Sequence, residues 1–173
     1  MPALLEQYLK SVQASWDRLG GHPQAAEAIR KAMEELFAAT PPDQDWALSL
    51  LEERPRAKEL YRDPDRGFIQ MGHFHGAGHA TPPHDHGPGW VVYGVYRGEL
   101  EISTYQPVPN APDRLRLQTA ERLGPGQARV YLPGTIHATR TLSPDGAVVF
   151  RFLSLDLNAV TRSHYRWDQV VAG

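Results

Sequence analysis

The chain has 173 residues, with 18 Lys plus Arg against 20 Asp plus Glu and no cysteine. That length suits one ordinary domain, or a domain with an extension, and the near-even charge offers no basic face for a nucleic acid or an anionic membrane. Without cysteine there is no disulfide framework, thiolate zinc site, iron–sulfur cluster or cysteine nucleophile. The opening MPALLEQYLK lacks the basic and long apolar segments of an export signal, and no apolar run approaches the ~18 residues of a membrane span. The expectation is a globular, cytoplasmic protein.

The first third reads as helix. Leu5, Tyr8, Leu9, Val12, Trp16 and Leu19 recur at spacings of three and four and form one apolar stripe, which Gly20-Gly21 terminates. Pro23 suits the first turn of a second helix carrying Ala26, Ile29, Met33, Leu36 and Phe37, up to the break at Thr40-Pro41-Pro42. A third helix is expected from Asp45 to Glu53, ended by Pro55, with a further turn through Leu60. Such a layer is too thin to hold a core of its own, so residues 1–62 are read as a helical extension packed on a domain of residues 63–173.

From Phe68 the pattern changes to short β-branched and aromatic runs: Phe68–Phe74, Trp90–Tyr96, Leu100–Tyr105, Ala128–Leu132, His137–Leu142 and Ala147–Leu157. Gly/Pro turns separate them, as at Gly124-Pro125-Gly126 and Ser143-Pro144-Asp145-Gly146. Strands at this spacing with no intervening helices predict a mostly β antiparallel sandwich or barrel. Its exposed edges make a homodimer plausible. The tail from Asn158 is a short helix or an arm over the barrel.

Five of the eight histidines fall between His73 and His86. His84 and His86 are two apart, which places both on one face of an extended chain. A turn at Pro133-Gly134 would aim His137 into the same interior. Three neutral imidazoles occupy one face of a metal ion and leave the opposite positions open for substrate, with dioxygen or water beside it. Imidazole suits iron, nickel, copper and zinc alike.

Gly78-x5-His84-x-His86 with Gly98 twelve residues on, and Gly126-x5-Leu132-x-Gly134-x2-His137-x3-Thr141, resemble the two motifs of the cupins. Within that superfamily the stretches Tyr61-Arg62-Asp63-Pro64, Gly76-x-Gly78-His79, His84-Asp85-His86, Trp90 and Gly98-Glu99-Leu100-Glu101 are similar to the cysteine dioxygenase group, over roughly residues 56–155. The resemblance implies a single jelly-roll β-barrel under a helical layer, and a mononuclear Fe(II) site that binds a small organic substrate and activates dioxygen. The cupin glutamate ligand, expected near Trp90 or Val91, is missing, so a three-histidine set is favoured. The family's Ser-x-His-x-Tyr row aligns with Phe150, Phe152 and Ser154, and its crosslinking cysteine position falls on Val91. The contiguous Ser163-His164-Tyr165 cannot replace the row, since adjacent strand residues point to opposite faces. Arg56 and Arg62 are the candidates for the arginine that clamps an amino-acid carboxylate.

Around the metal, Val91 and Tyr93 share a face, and Trp90 supplies an aromatic neighbour. Tyr93 and His75 are the candidate acid–base groups, with Tyr131 and His73 as possible pocket neighbours or ordinary core. Phe150 and Phe152 are expected to form an apolar pocket wall, with Arg151 between them facing solvent, which favours a hydrophobic substrate. The alternatives to a dioxygenase are a non-redox isomerase or lyase using the metal as a Lewis acid, and a ligand-binding module without turnover.

Overall fold

The computed structural model describes residues 2–41 and 45–171; Pro42 and the last two residues of the tail lie outside them. Helices α1 (Ala3–Leu19), α2 (Gln24–Ala39) and α3 (Asp45–Glu53) are followed by ten strands. These are β1 (Lys58–Arg62), β2 (Ile69–His75), β3 (Ala80–His84), β4 (Val91–Arg97), β5 (Leu100–Val108), β6 (Ala111–Leu123), β7 (Ala128–Tyr131), β8 (Ile136–Thr141), β9 (Ala147–Leu153) and β10 (Val170–Val171). They form two five-stranded sheets, ordered β1-β2-β9-β4-β7 and β10-β6-β5-β8-β3.

From β2 to β9 the chain passes back and forth between the sheets, and only β5 and β6 pair as a local hairpin. Removing the two edge strands β1 and β10 leaves four strands per sheet in the order of a jelly roll, with a hydrophobic interior between them. The fold is mostly β, as expected, with a helical N-terminus.

The helices cover the outer face of the first sheet. The buried face of α1 is Leu5, Tyr8, Leu9 and Val12, and that of α2 includes Ile29, Met33, Leu36 and Phe37. Two glycines let them approach: a Cβ on Gly94 of β4 would sit 2.4 Å from Met33 Sδ, and one on Gly72 of β2 would sit 2.8 Å from Leu50 of α3. Polar contacts fix the layer's position. Tyr8 donates to the buried Gln70 Oε1 at 2.7 Å, and the Ala128 amide on β7 donates to Glu34 Oε1 at 3.0 Å.

Three elements differ from the sequence reading. Lys58–Arg62 is an edge strand paired with β2, where a helical turn through Leu60 was expected. β6 is a 13-residue strand whose largely exposed side chains hide it from a hydrophobicity reading. The tail is an arm: Val170 and Val171 run parallel to β6, and His164 bridges to His84.

Candidate metal centre

His84 closes β3 and lies directly across from His137 on β8. His86 lies past the end of β3, in a turn where Gly87 adopts φ +58° and a Cβ would strike the Thr161 carbonyl. Asp85, between two of the histidines in sequence, is not one of the converging groups. Its Oδ1 accepts the amides of Gly87 and Ser163, both at 2.9 Å, while its own amide donates to Ser163 O at 3.1 Å. The Tyr165 amide donates to Pro83 O at 2.9 Å, so the tail clamps the loop that carries two of the histidines.

One ring nitrogen from each of His84, His86 and His137 lies within 4.8 Å of the others, and no carboxylate joins the group among the described residues. His84 Nδ1 lies 2.9 Å from Pro82 O, and His137 Nδ1 lies 3.2 Å from Thr135 O. A carbonyl only accepts, so both Nδ1 atoms carry the hydrogen and both Nε2 atoms present lone pairs. His86 Nε2 and His137 Nε2 are buried with no hydrogen-bond partner. Burial, reinforced by the neighbouring imidazoles, pushes His86 down to about 2 and His137 to about 3, and burial lowers His84 as well. Neutral imidazole is the form that binds metal. Three converging, uncharged imidazoles, two of them with an orphaned Nε2, fit one divalent cation with open coordination positions.

Aromatic rings brace the set. Tyr131 stacks on His137 at 4.7 Å, and Tyr93 meets His137 edge-on at 5.5 Å. Val91 and Tyr93 are buried on the interior face of β4. On β2, the interior face holds Ile69, Met71, His73 and His75, and the two histidine rings are 5.7 Å apart. Neither belongs to the converging trio. His73 Nδ1 donates to Arg56 O at 2.8 Å, while His73 Nε2 and His75 Nδ1 are buried and unpartnered. Burial lowers His73 to about 4 and His75 to about 3.

Four expected pocket residues lie elsewhere. Phe150 packs on Phe37 and Trp46, and Phe152 on Trp16, Phe68 and Trp90, all under the helices. Trp90 belongs to the same cluster, with its Nε1 donating to Gly21 O at 3.2 Å. Arg62 is on the exposed edge strand, paired with Glu59 and Asp156. The physical reason is the helical cover: it makes the outer face of the sheet as apolar as the inner one, so strand β9 can bury phenylalanines away from the barrel.

The alternation of β9 is therefore opposite to the expectation, and Val149, Arg151 and Leu153 face the interior. Arg151 places its Cζ 5.9 Å from the centre of the Tyr93 ring. Its charge bears on His73, His75, His84, His86 and His137. This is the residue that sequence reasoning missed. The available signal was its position in an otherwise apolar strand, AVVFRFL, of a sheet with both faces covered.

No protein-family model and no curated protein sequence matches the chain. Among solved structures it is similar to the Schizosaccharomyces pombe Cnp3 cupin domain (TM-score 0.47, 11% identity, 58% of this chain and 60% of that one). It is also similar to KdgF from Halomonas sp. (TM-score 0.46, 21% identity, 60% and 82%). A third is an uncharacterised conserved protein with a double-stranded β-helix domain from Klebsiella pneumoniae (TM-score 0.49, 14% identity, 67% and 94%). The chain spans less than two thirds of the Cnp3 cupin domain it matches.

Proposed function

We propose that this chain is a mononuclear metal-dependent dioxygenase, holding one divalent cation, Fe(II) before Ni, Cu or Zn, on His84, His86 and His137. The observation that carries this reading is the convergence of three neutral imidazoles with two orphaned Nε2 atoms. Bound Fe(II) would supply redox capacity and open positions for dioxygen and a small organic substrate. The chain's own residues do the rest. Pro82 O and Thr135 O hold the protons on Nδ1, and Tyr131 fixes the plane of the His137 ring. A ligand set without carboxylate leaves the cation its full positive charge, which favours a substrate that binds as an anion. Tyr93 stands beside His137 as the hydroxyl available to orient that substrate. The inward row of β9 is Val149, Arg151 and Leu153, so the hydroxyl and imidazole row of thiol dioxygenases is absent and thiol oxidation is not the chemistry proposed.

The test is oxygen uptake after anaerobic loading with Fe(II), across thiols, diketones and phenolic acids, with zinc-loaded protein in parallel. Uptake with iron alone is expected. Turnover with zinc would indicate Lewis-acid isomerase or lyase chemistry, and no uptake with any metal or substrate would refute the reading.

A further inference from the structure

His84 and His86 sit on a segment poorly equipped to hold itself in place. Pro82 and Pro83 have no N–H to give to a strand ladder, and the pairing of β3 with β8 shifts register between Thr81 and His84. For residues 82–87 the barrel itself supplies the pairing of His84 with His137 and the Gly134 amide, which donates to Gly87 O at 3.2 Å. The arm after β9 supplies more. Ser163 O accepts the Asp85 amide at 3.1 Å, the Ser163 amide donates to Asp85 Oδ1 at 2.9 Å, and the Tyr165 amide donates to Pro83 O at 2.9 Å. His164 pairs with His84 in an antiparallel bridge, its ring 6.2 Å from that of His84. Gly87, which has no Cβ, lets the chain pass close against the Thr161 carbonyl.

The arm is fastened a second time at its far end. Val170 and Val171 pair in parallel with Leu115 and Arg116 of β6. Gln169 Nε2 donates to Asp113 O at 2.8 Å, and Arg114 Nη1 donates to Asp168 O at 3.0 Å. Tyr165 and Val170 pack on a hydrophobic cluster of Tyr105, Leu115, Ile136 and Ala138, separate from the barrel interior. A segment held at both ends, with one end on the ligand loop, links the order of the two places. Docked, it removes chain freedom that the loop would otherwise lose when three imidazoles close on a cation. A cation that fixes His84 and His86 in turn fixes the loop edge to which the arm bonds.

We propose that residues 161–171 form a strap whose docking is reciprocally coupled to metal binding at His84, His86 and His137. Release of the strap's far end loosens the metal, and loss of the metal loosens the strap. Linkage makes the two effects equal: the factor by which the cation favours docking is the factor by which docking favours the cation. The coupling rests on the metal reading above and adds to it a device, remote from the ligands, that sets how firmly the ion is kept.

The experiment uses the full chain, metal-free and zinc-loaded. Amide hydrogen exchange is followed residue by residue, and zinc affinity is measured by competition with a chromophoric chelator. Zinc should slow exchange of the Ser163 and Tyr165 amides by roughly fivefold or more, with no change at β1, an edge strand of the other sheet. Val170→Asp removes the far fastening without touching the ligand loop. It should speed exchange at residues 161–165 and weaken zinc by the same factor, with one equivalent still bound at saturation. Gln169→Ala should do both to a smaller extent, and Val170→Ile should match the unmutated chain. Equal exchange of the arm with and without zinc would overturn the coupling, as would a freed arm in a chain that keeps its zinc affinity. An arm that stays protected in Val170→Asp would overturn it too, because the two fastenings would then not act as one unit. An unmutated chain that takes up no zinc would instead refute the metal reading on which the coupling rests.

Discussion

Phe152 is the sharpest probe of which way strand β9 faces. Its side chain is fully buried, with ring centres 5.3 Å from Phe68, 5.2 Å from Trp90 and 6.2 Å from Trp16. Phe152→Ala removes this ring from a packed junction between helix and sheet, where such truncations cost about 3–5 kcal/mol. For a chain of this size each kcal/mol lowers Tm by about 2–4 °C, so a fall of roughly 6–20 °C is expected. Phe152→Leu, which keeps most of the volume, should cost only about 1–1.5 kcal/mol and stay folded under all conditions used. The assay is denaturant unfolding, combined with zinc stoichiometry on the folded variants. The zinc stoichiometry should match the unmutated protein. A loss of stability under about 1 kcal/mol for Phe152→Ala would mean that the ring lies outside the packed junction and that the β9 assignment is inverted.

Other consequences follow from the same geometry. His73 titrates near 6.5 when unfolded but is held at about 4 by burial in the folded chain, so the folded state takes up fewer protons between those values. His73 therefore imposes no penalty above about pH 7 and costs stability as pH falls from 6.5 toward 4, on the order of 3 kcal/mol at the limit. Denaturation midpoints of metal-free protein should drop across that window, and His73→Asn should make the slope shallower by the share of one group, the other lowered histidines keeping theirs; an unchanged slope would refute the assignment. Asp85→Ala frees the amides of Gly87 and Ser163, so hydrogen exchange should accelerate at residues 161–165 and metal affinity should fall tenfold or more. Gly94→Ala places a methyl against Met33 and Phe37 and should cost about 1–3 kcal/mol in denaturant unfolding without changing metal stoichiometry.

Much of the architecture was legible because its determinants are local. The helical stripes, the Gly20-Gly21 stop and the Gly/Pro turns between strands each have a mechanism that acts within a few residues, and the observed elements follow them. The approach of His84 to His137 was legible for a similar reason: a turn at Gly134, with φ +76°, feeds a strand that begins one residue before His137. What was not legible depends on neighbours that a single strand does not report. Alternation separates the two faces of AVVFRFL but does not say which one is inside, and the ordinary rule that the polar residue faces water fails when helices cover the outer face. Arg151 was therefore sent outward and Phe152 inward. β6 escaped notice because most of its side chains are exposed, with Leu115 and Leu123 its only buried residues. The strand β1 has no fully buried residue at all and is held by its pairing with β2.

The most direct test of the central claim is metal analysis of protein prepared without a polyhistidine tag. One equivalent of a divalent ion should bind the unmutated chain, and His86→Ala, in a variant shown to be folded, should reduce occupancy to near zero. Full occupancy in that variant would contradict the account, because the ion would then be held somewhere other than between His84, His86 and His137.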